Sequence, residues 1–428
     1  MAYAKKAELL SPAGDFDKLK AAVRYGADAV YLAGKQFGMR AASANFDRDE
    51  LAEAVEYCHQ RGVKLYVTVN VMPHTPEYPE LVDYLKFLDE IKVDAAIVSD
   101  IGVVMTAREI VPNLELHIST QASAVSAEAC KAWYKLGAKR IVLARELTLD
   151  EIREIRQNIP DELELEAFVH GAMCVAYSGR CLLSNYFTGR DGNHGQCAQS
   201  CRWHYRPADP DVPLSIDLHE ELREEITTAV RVEEDPNGET FFMSSKDMCM
   251  IEHIPELEEA GISSYKIEGR VKSAYYTAVV TNTYRLAIDA YRRDPENYRF
   301  DPLWMRELVG VSHREYGTGF FFGKPSENAN TVHEHGYLRD KAYLAAAVAD
   351  ANEPDEGGFY DAVFTQRNKM SAGDAVELLS PGKVGRAFVA ETIRNADGEE
   401  IASTPHPSML FHLRVPFPVR EGDILRMG

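Results

Sequence analysis

Across 428 residues, 45% hydrophobic and 27% charged, the chain has material for a large core and more than one domain. Its formal charge of −20 disfavours a broad, nonspecific grip on phosphate backbones, so a nucleic-acid partner needs a local basic patch or a second subunit. No apolar run reaches signal-peptide or membrane-spanning length, which predicts a cytoplasmic protein with no membrane contact and reduced cysteines.

Short apolar runs alternate with amphipathic helices from the start, the mark of a parallel α/β architecture. AELLSPAG reads as a strand ending in a Pro-Gly turn, and DFDKLKAAVRYG as a helix with an acidic start and a Gly stop. ADAVYLAG is the second strand, followed by the helix NFDRDELAEAVEYCHQRG, capped by Asn45 or Asp47. KLYVTVNVM, DAAIVSD and LELHISTQASAV are the next strands, each with a helix behind it. KRIVLARELT is the sixth strand, and Thr148 with Glu151 forms a capping box at the head of the sixth helix. LELEAFVHG is the seventh strand. The alternation then breaks and resumes with the helix MIEHIPELEEAG, the strand SSYKIEGR and a long helix to about residue 294.

Eight strands and eight helices in this order predict a (β/α)8 TIM-like barrel over residues 1–294, with a cysteine-rich insertion at about 171–250. An open doubly wound sheet is the competing fold, but eight repeats and no GxGxxG after the first strand favour the barrel. Residues 295–336 read as a connector. From 337 to 428 short strands punctuated by Gly, Pro, Asn and Asp follow with no helical period, which predicts a small all-β barrel domain.

The insertion holds Cys174, Cys181, Cys197 and Cys201, four of seven cysteines. Thiolates are soft ligands, and four together suit zinc or an iron–sulfur cluster. Their spacing, C-x6-C-x15-C-x3-C, matches neither the common zinc ribbons nor the ferredoxin runs, so spacing does not choose. Cys249 is an alternative fourth ligand, although burial at a helix start is the blander reading. Cys58 and Cys130 sit in helical apolar patterns and read as core.

Polar and ionisable groups gather where the strands end, the face on which TIM-barrel sites are built. The substrate-binding candidates are Arg145, Gln121, Lys266 and Arg270, and the acid–base candidates are His170, Tyr177, Glu146 and Glu268. Such a set suits a small carboxylate. The bland alternative is that Arg145–Glu146 and Lys266–Glu268 close ion pairs at the barrel mouth. Arg202, Trp203, His204, Tyr205 and Arg206 form a basic–aromatic run of the kind that pairs phosphates and stacks an unpaired base, or a solvated loop with one buried Trp.

HGAMCVAYSGRCLLS followed by GQCAQSCRWHY resembles the signature of peptidase family U32, the collagenase-like proteases, and ELLSPAG, GADAVYLAG and SSYKIEGRVKSAYY continue the resemblance along the chain. Within that family the arrangement most resembles the members that hydroxylate tRNA. The resemblance implies 5-hydroxyuridine formation at the wobble position, prephenate as hydroxyl donor and co-substrate, and a [4Fe–4S] cluster on the four cysteines. A tRNA substrate, a small dicarboxylate ligand and a partner subunit of the same family are the expected partners. The family label itself implies a peptidase, yet neither HExxH nor GxSxG occurs, and pairing Cys174 with His170 would leave three thiols idle. A scaffold with a structural metal is the third reading.

Overall fold

A computed structural model describes residues 6–39, 44–203, 243–324 and 337–428. Seven strands, β1 (Glu8–Pro12), β2 (Ala29–Leu32), β3 (Lys64–Val69), β4 (Ala95–Val98), β5 (Glu115–Ile118), β6 (Arg140–Val142) and β7 (Glu164–Ala172), run parallel in chain order. Between them lie α1 (Phe16–Arg24), α2 (Arg48–His59), α3 (Tyr78–Glu90), α4 (Ile101–Ile110), α5 (Ala127–Lys135) and α6 (Leu149–Gln157). The caps follow local chemistry. Asp47, not Asn45, makes the capping box of α2 with Glu50, and Thr148 with Glu151 makes that of α6.

After β7 come α7 (Leu183–Thr188), β8 (Asp247–Cys249), α8 (Ile254–Glu259), β9 (Ser264–Ile267) and α9 (Ala274–Arg293). β9 pairs in parallel with both β1 and β7, which closes the eight-stranded barrel. The open doubly wound alternative is thereby excluded. β8 does not belong to the barrel wall: it pairs antiparallel with the end of β7, and β10 (Tyr316–Gly317), which follows α10 (Pro302–Val309), adds to it. The alternation 164, 166, 168 along β7 points inward, but Val169 is an extra residue opposite β9, and the register shifts between Phe168 and His170.

Inside the barrel, Leu10, Ala29, Tyr31, Tyr66, Ala95 and Ile97 form a small apolar layer. Beneath it Arg140 ties Glu8, Glu164 and Glu166 together, with Glu164 at 2.7 Å and Glu166 at 3.2 Å. The larger core lies between the strands and the helices.

The C-terminal strands are β11 (Tyr343–Ala347), β12 (Tyr360–Gln366), β13 (Ala375–Leu379), β14 (Arg386–Val389), β15 (Ile393–Asn395), β16 (Glu400–Ile401), β17 (Leu410–Val415) and β18 (Ile424–Met427). They form one antiparallel sheet around their own apolar cluster. A buried polar seam docks this domain on the barrel. Arg426 bonds Glu307 at 2.6 Å and Glu377 at 2.7 Å, Arg24 bonds Asp423 at 2.6 Å, and Tyr275 stacks on Tyr343. No helix among the described residues is long and apolar enough to cross a membrane.

Candidate active site at the barrel mouth

Strand ends bring Tyr31, Thr68, Asn70, Ser119, Gln121, Arg145, Phe168, Lys266, Glu268 and Arg270 around one cavity of about 50 Å3. All four substrate-binding candidates therefore line it, and of the acid–base candidates only Glu268 does. Room for a few waters is what such a volume provides, so a ring-bearing dicarboxylate requires mouth side chains to part.

The ion pairs at the mouth differ from those the sequence order proposes. Lys266 reaches inward to Glu166 at 2.6 Å and lies 4.4 Å from the Tyr31 ring centre. Burial pulls the pKa of this lysine down against the pull of Glu166, while Glu166 itself is held below the usual range because Lys266 and Arg140 outweigh its own burial. Arg145 stands 4.0 Å from Glu268, stacks 3.8 Å above Phe168, and donates to the Ala172 carbonyl at 2.6 Å. Arg270 is almost fully buried and donates to Thr68 at 3.3 Å. Gln121 accepts from Asn70 at 2.8 Å, which fixes its carboxamide.

His170 and Glu146 stand elsewhere. The extra residue in β7 turns His170 out of the barrel into a box of Tyr276, Tyr284 and Tyr316, with ring centres 5.3–6.0 Å away. Burial drives its pKa down to about 3, so it is neutral at physiological pH. Since Cys174 is exposed and His170 is buried among tyrosines, no Cys174–His170 pair forms. Glu146 accepts both the backbone N–H (2.9 Å) and the hydroxyl (3.2 Å) of Ser178 and so fastens the cysteine loop. Tyr177 is half exposed at the rim, its phenol pushed up by burial and by Glu146.

The cysteine segment lies across the mouth. Gly179 has φ +74°, and a Cβ there would meet the Gln121 carbonyl oxygen at 2.3 Å, so only glycine allows this approach. Ser123 donates to the Ser178 carbonyl at 2.5 Å, and His194 reaches Glu77 at 3.3 Å on the far side. Beyond burial, Cys174 and Cys197 raise the thiols of both Cys181 and Cys201, which puts each of the latter two within electrostatic reach of Cys174 and Cys197. Among the described residues no three His, Cys, Asp or Glu side chains stand in a metal-binding arrangement. The donor chemistry fits a thiolate-bound group, and the sulfurs must draw together to hold one. Cys249 is buried beside Tyr284 with its thiol pushed up to about 12, away from this set, and Cys58 and Cys130 are likewise buried.

Sequence reasoning missed the brace of this loop. Arg314, 1% exposed, bonds Asp247 at 2.7 Å and donates to the Met173 carbonyl at 3.3 Å, one residue before Cys174. Lys272 stands near them, its pKa pulled down to about 8 by burial despite Asp247. The partners are 67 residues apart, and no local pattern announces such a pair. Of the basic–aromatic run, Arg202 donates to Gln199 at 2.8 Å and to Tyr337 at 3.2 Å, and Trp203 is exposed; His204, Tyr205 and Arg206 lie outside the described residues.

A family model described as peptidase family U32 matches residues 14–331, and one described as the peptidase family U32 C-terminal domain matches 344–426. The chain is 39% identical over 424 residues to tRNA hydroxylation protein P1 of Bacillus subtilis, covering 99% of this chain and 95% of that one. It is 36% identical over 440 residues to tRNA hydroxylation protein P of Escherichia coli, covering 96% and 94%. A protein named Collagenase from Porphyromonas gingivalis is 31% identical over 351 residues, covering 80% of each chain.

Proposed function

The chain belongs to peptidase family U32, and within it we propose that the protein is a tRNA hydroxylase, one that forms 5-hydroxyuridine at the wobble position with prephenate as hydroxyl donor. Nearly full-length similarity to tRNA hydroxylation proteins supports the tRNA reading. The observation that carries the chemistry is the seating of the four-cysteine loop on the mouth, with Gly179 pressed against Gln121.

Cys174, Cys181, Cys197 and Cys201 would hold a [4Fe–4S] cluster, whose contribution is electron transfer. Around it, Arg145 and Arg270 would bind carboxylates and Gln121 would orient the ligand. Glu268 is the lining residue placed to hold or pass a proton at its carboxylate. Lys266, engaged with Glu166, contributes positive potential from below.

Nucleoside analysis of tRNA from a deletion strain carrying the wild-type gene or Arg270→Glu tests this reading. Expected are loss of 5-hydroxyuridine on deletion, recovery with the wild type and none with Arg270→Glu, whose purified protein keeps its iron and sulfide. Unchanged tRNA on deletion refutes the tRNA substrate; full activity of Arg270→Glu refutes the pocket.

A further inference from the structure

The exposed surface of the cysteine segment is basic and aromatic, in a chain whose total charge is strongly negative. On this face the exposed Arg180 and Arg190 stand against the half-buried Asp191, a net +1 within a chain of −20, while Arg202 is half-buried and bonded to Gln199 and Tyr337. On the same segment Tyr186 is 83% exposed, and Tyr177 and Trp203 are each more than two-fifths exposed. Tyr186 meets Phe187 edge to face at 5.5 Å, a paired platform on α7. An isolated exposed aromatic is ordinary, but several on one basic segment are not.

We propose that this face, with Tyr186 as its stacking platform and Arg180 and Arg190 as its phosphate contacts, docks an unpaired RNA loop and delivers one base to the barrel mouth. The inference rests on the tRNA reading above and adds where the RNA sits. Aromatic faces stack unpaired bases of any sequence, and guanidinium groups pair the adjacent phosphates. Both arginines are exposed and are oriented through Nε, Arg180 to the Ser123 hydroxyl at 3.4 Å and Arg190 to the Gln196 carbonyl at 3.0 Å. Position supports the same reading. Arg180 follows Gly179, the residue lodged on Gln121 at the cavity edge, so an RNA loop held here lies next to the pocket. Local charge complementarity also fits so acidic a chain: the net charge of −20 disfavours RNA binding in general, and a basic, aromatic face offers a local exception.

The test is equilibrium binding of full-length protein to unmodified tRNA and to a hairpin presenting its anticodon loop, with a fully paired duplex as control. Tyr186→Ala should weaken tRNA and hairpin binding roughly 5- to 150-fold, the range that base–aromatic stacking carries, and leave the duplex unaffected. Arg180→Ala with Arg190→Ala should reduce the slope of log Kd against log salt by about 1.4, two contacts at about 0.7 each. Since Tyr186 is solvent-exposed, its variant keeps the wild-type circular dichroism and melting temperature. Equal binding by variant and wild type overturns the surface assignment and leaves the tRNA reading standing. Failure of the wild-type protein to bind tRNA, with tRNA unchanged in a deletion strain, removes both. Altered oligomeric state with unchanged RNA binding overturns the proposal by assigning the face to a second copy of the chain.

Discussion

Asp247→Ala tests whether the Arg314 brace holds the cysteine loop. In the native protein the Arg314 side chain meets Asp247 at 2.7–2.8 Å, and the Arg314 backbone N–H donates to the same carboxylate at 3.1 Å. Burial alone would raise the Asp247 pKa, but Arg314 and Lys272 hold it below the usual range, so the pair is charged. Among the described residues, removing the carboxylate leaves the buried Arg314 cation with the Ser244 hydroxyl and the Met173 backbone carbonyl as its acceptors. Breaking one side of such a pair costs about 3–5 kcal/mol, which corresponds to a fall in Tm of roughly 5–8 °C for a domain of this size. Calorimetry reads the first effect. Because Met173 precedes Cys174, the iron and sulfide of the proposed cluster should fall in the same samples. Asp247→Leu with Arg314→Met removes both charges and should regain most of the lost stability. A single variant melting within a degree of wild type, or a double variant no better than the single, refutes the brace.

Three further outcomes are expected. The neutral, buried His170 has its pKa lowered from about 6.5 to about 3, so its contribution is complete above pH 6.5 and is lost as pH falls towards 3. At about 1.4 kcal/mol per unit that window is worth roughly 5 kcal/mol, and His170→Gln should flatten the stability–pH slope between pH 4 and 6 measured by urea unfolding. Gly179→Ala, whose new methyl would collide with the Gln121 backbone at a left-handed φ, should cost about 1–3 kcal/mol of local strain, lift the loop and cut the proposed turnover more than tenfold, read as 5-hydroxyuridine content. Cys201→Ala should strip metal and sulfide while Cys249→Ala keeps both, measured by elemental analysis; the reverse result would exchange their roles.

The barrel was legible because its signals are local. Period-two and helical patterns, the Asp47 and Thr148 caps, and the glycine stops each act within a few residues, and eight repetitions leave little choice of topology. The cavity lining was legible for the same reason, since strand ends in a barrel converge: Gln121, Arg145, Lys266, Glu268 and Arg270 meet as their positions imply. His170 shows the limit. Simple alternation along β7 points it inward, and a single extra residue, Val169, sends it into a tyrosine box instead. Pair choice was equally hidden: Lys266 takes Glu166 rather than Glu268, and Glu146 takes Ser178 rather than Arg145. Arg314 finds Asp247 across 67 residues. Chain order determined the scaffold and the residue types at its mouth. Tertiary structure decided which charge meets which and which side chain faces the cavity, because bulges and long-range ion pairs depend on neighbours that only the closed barrel brings together.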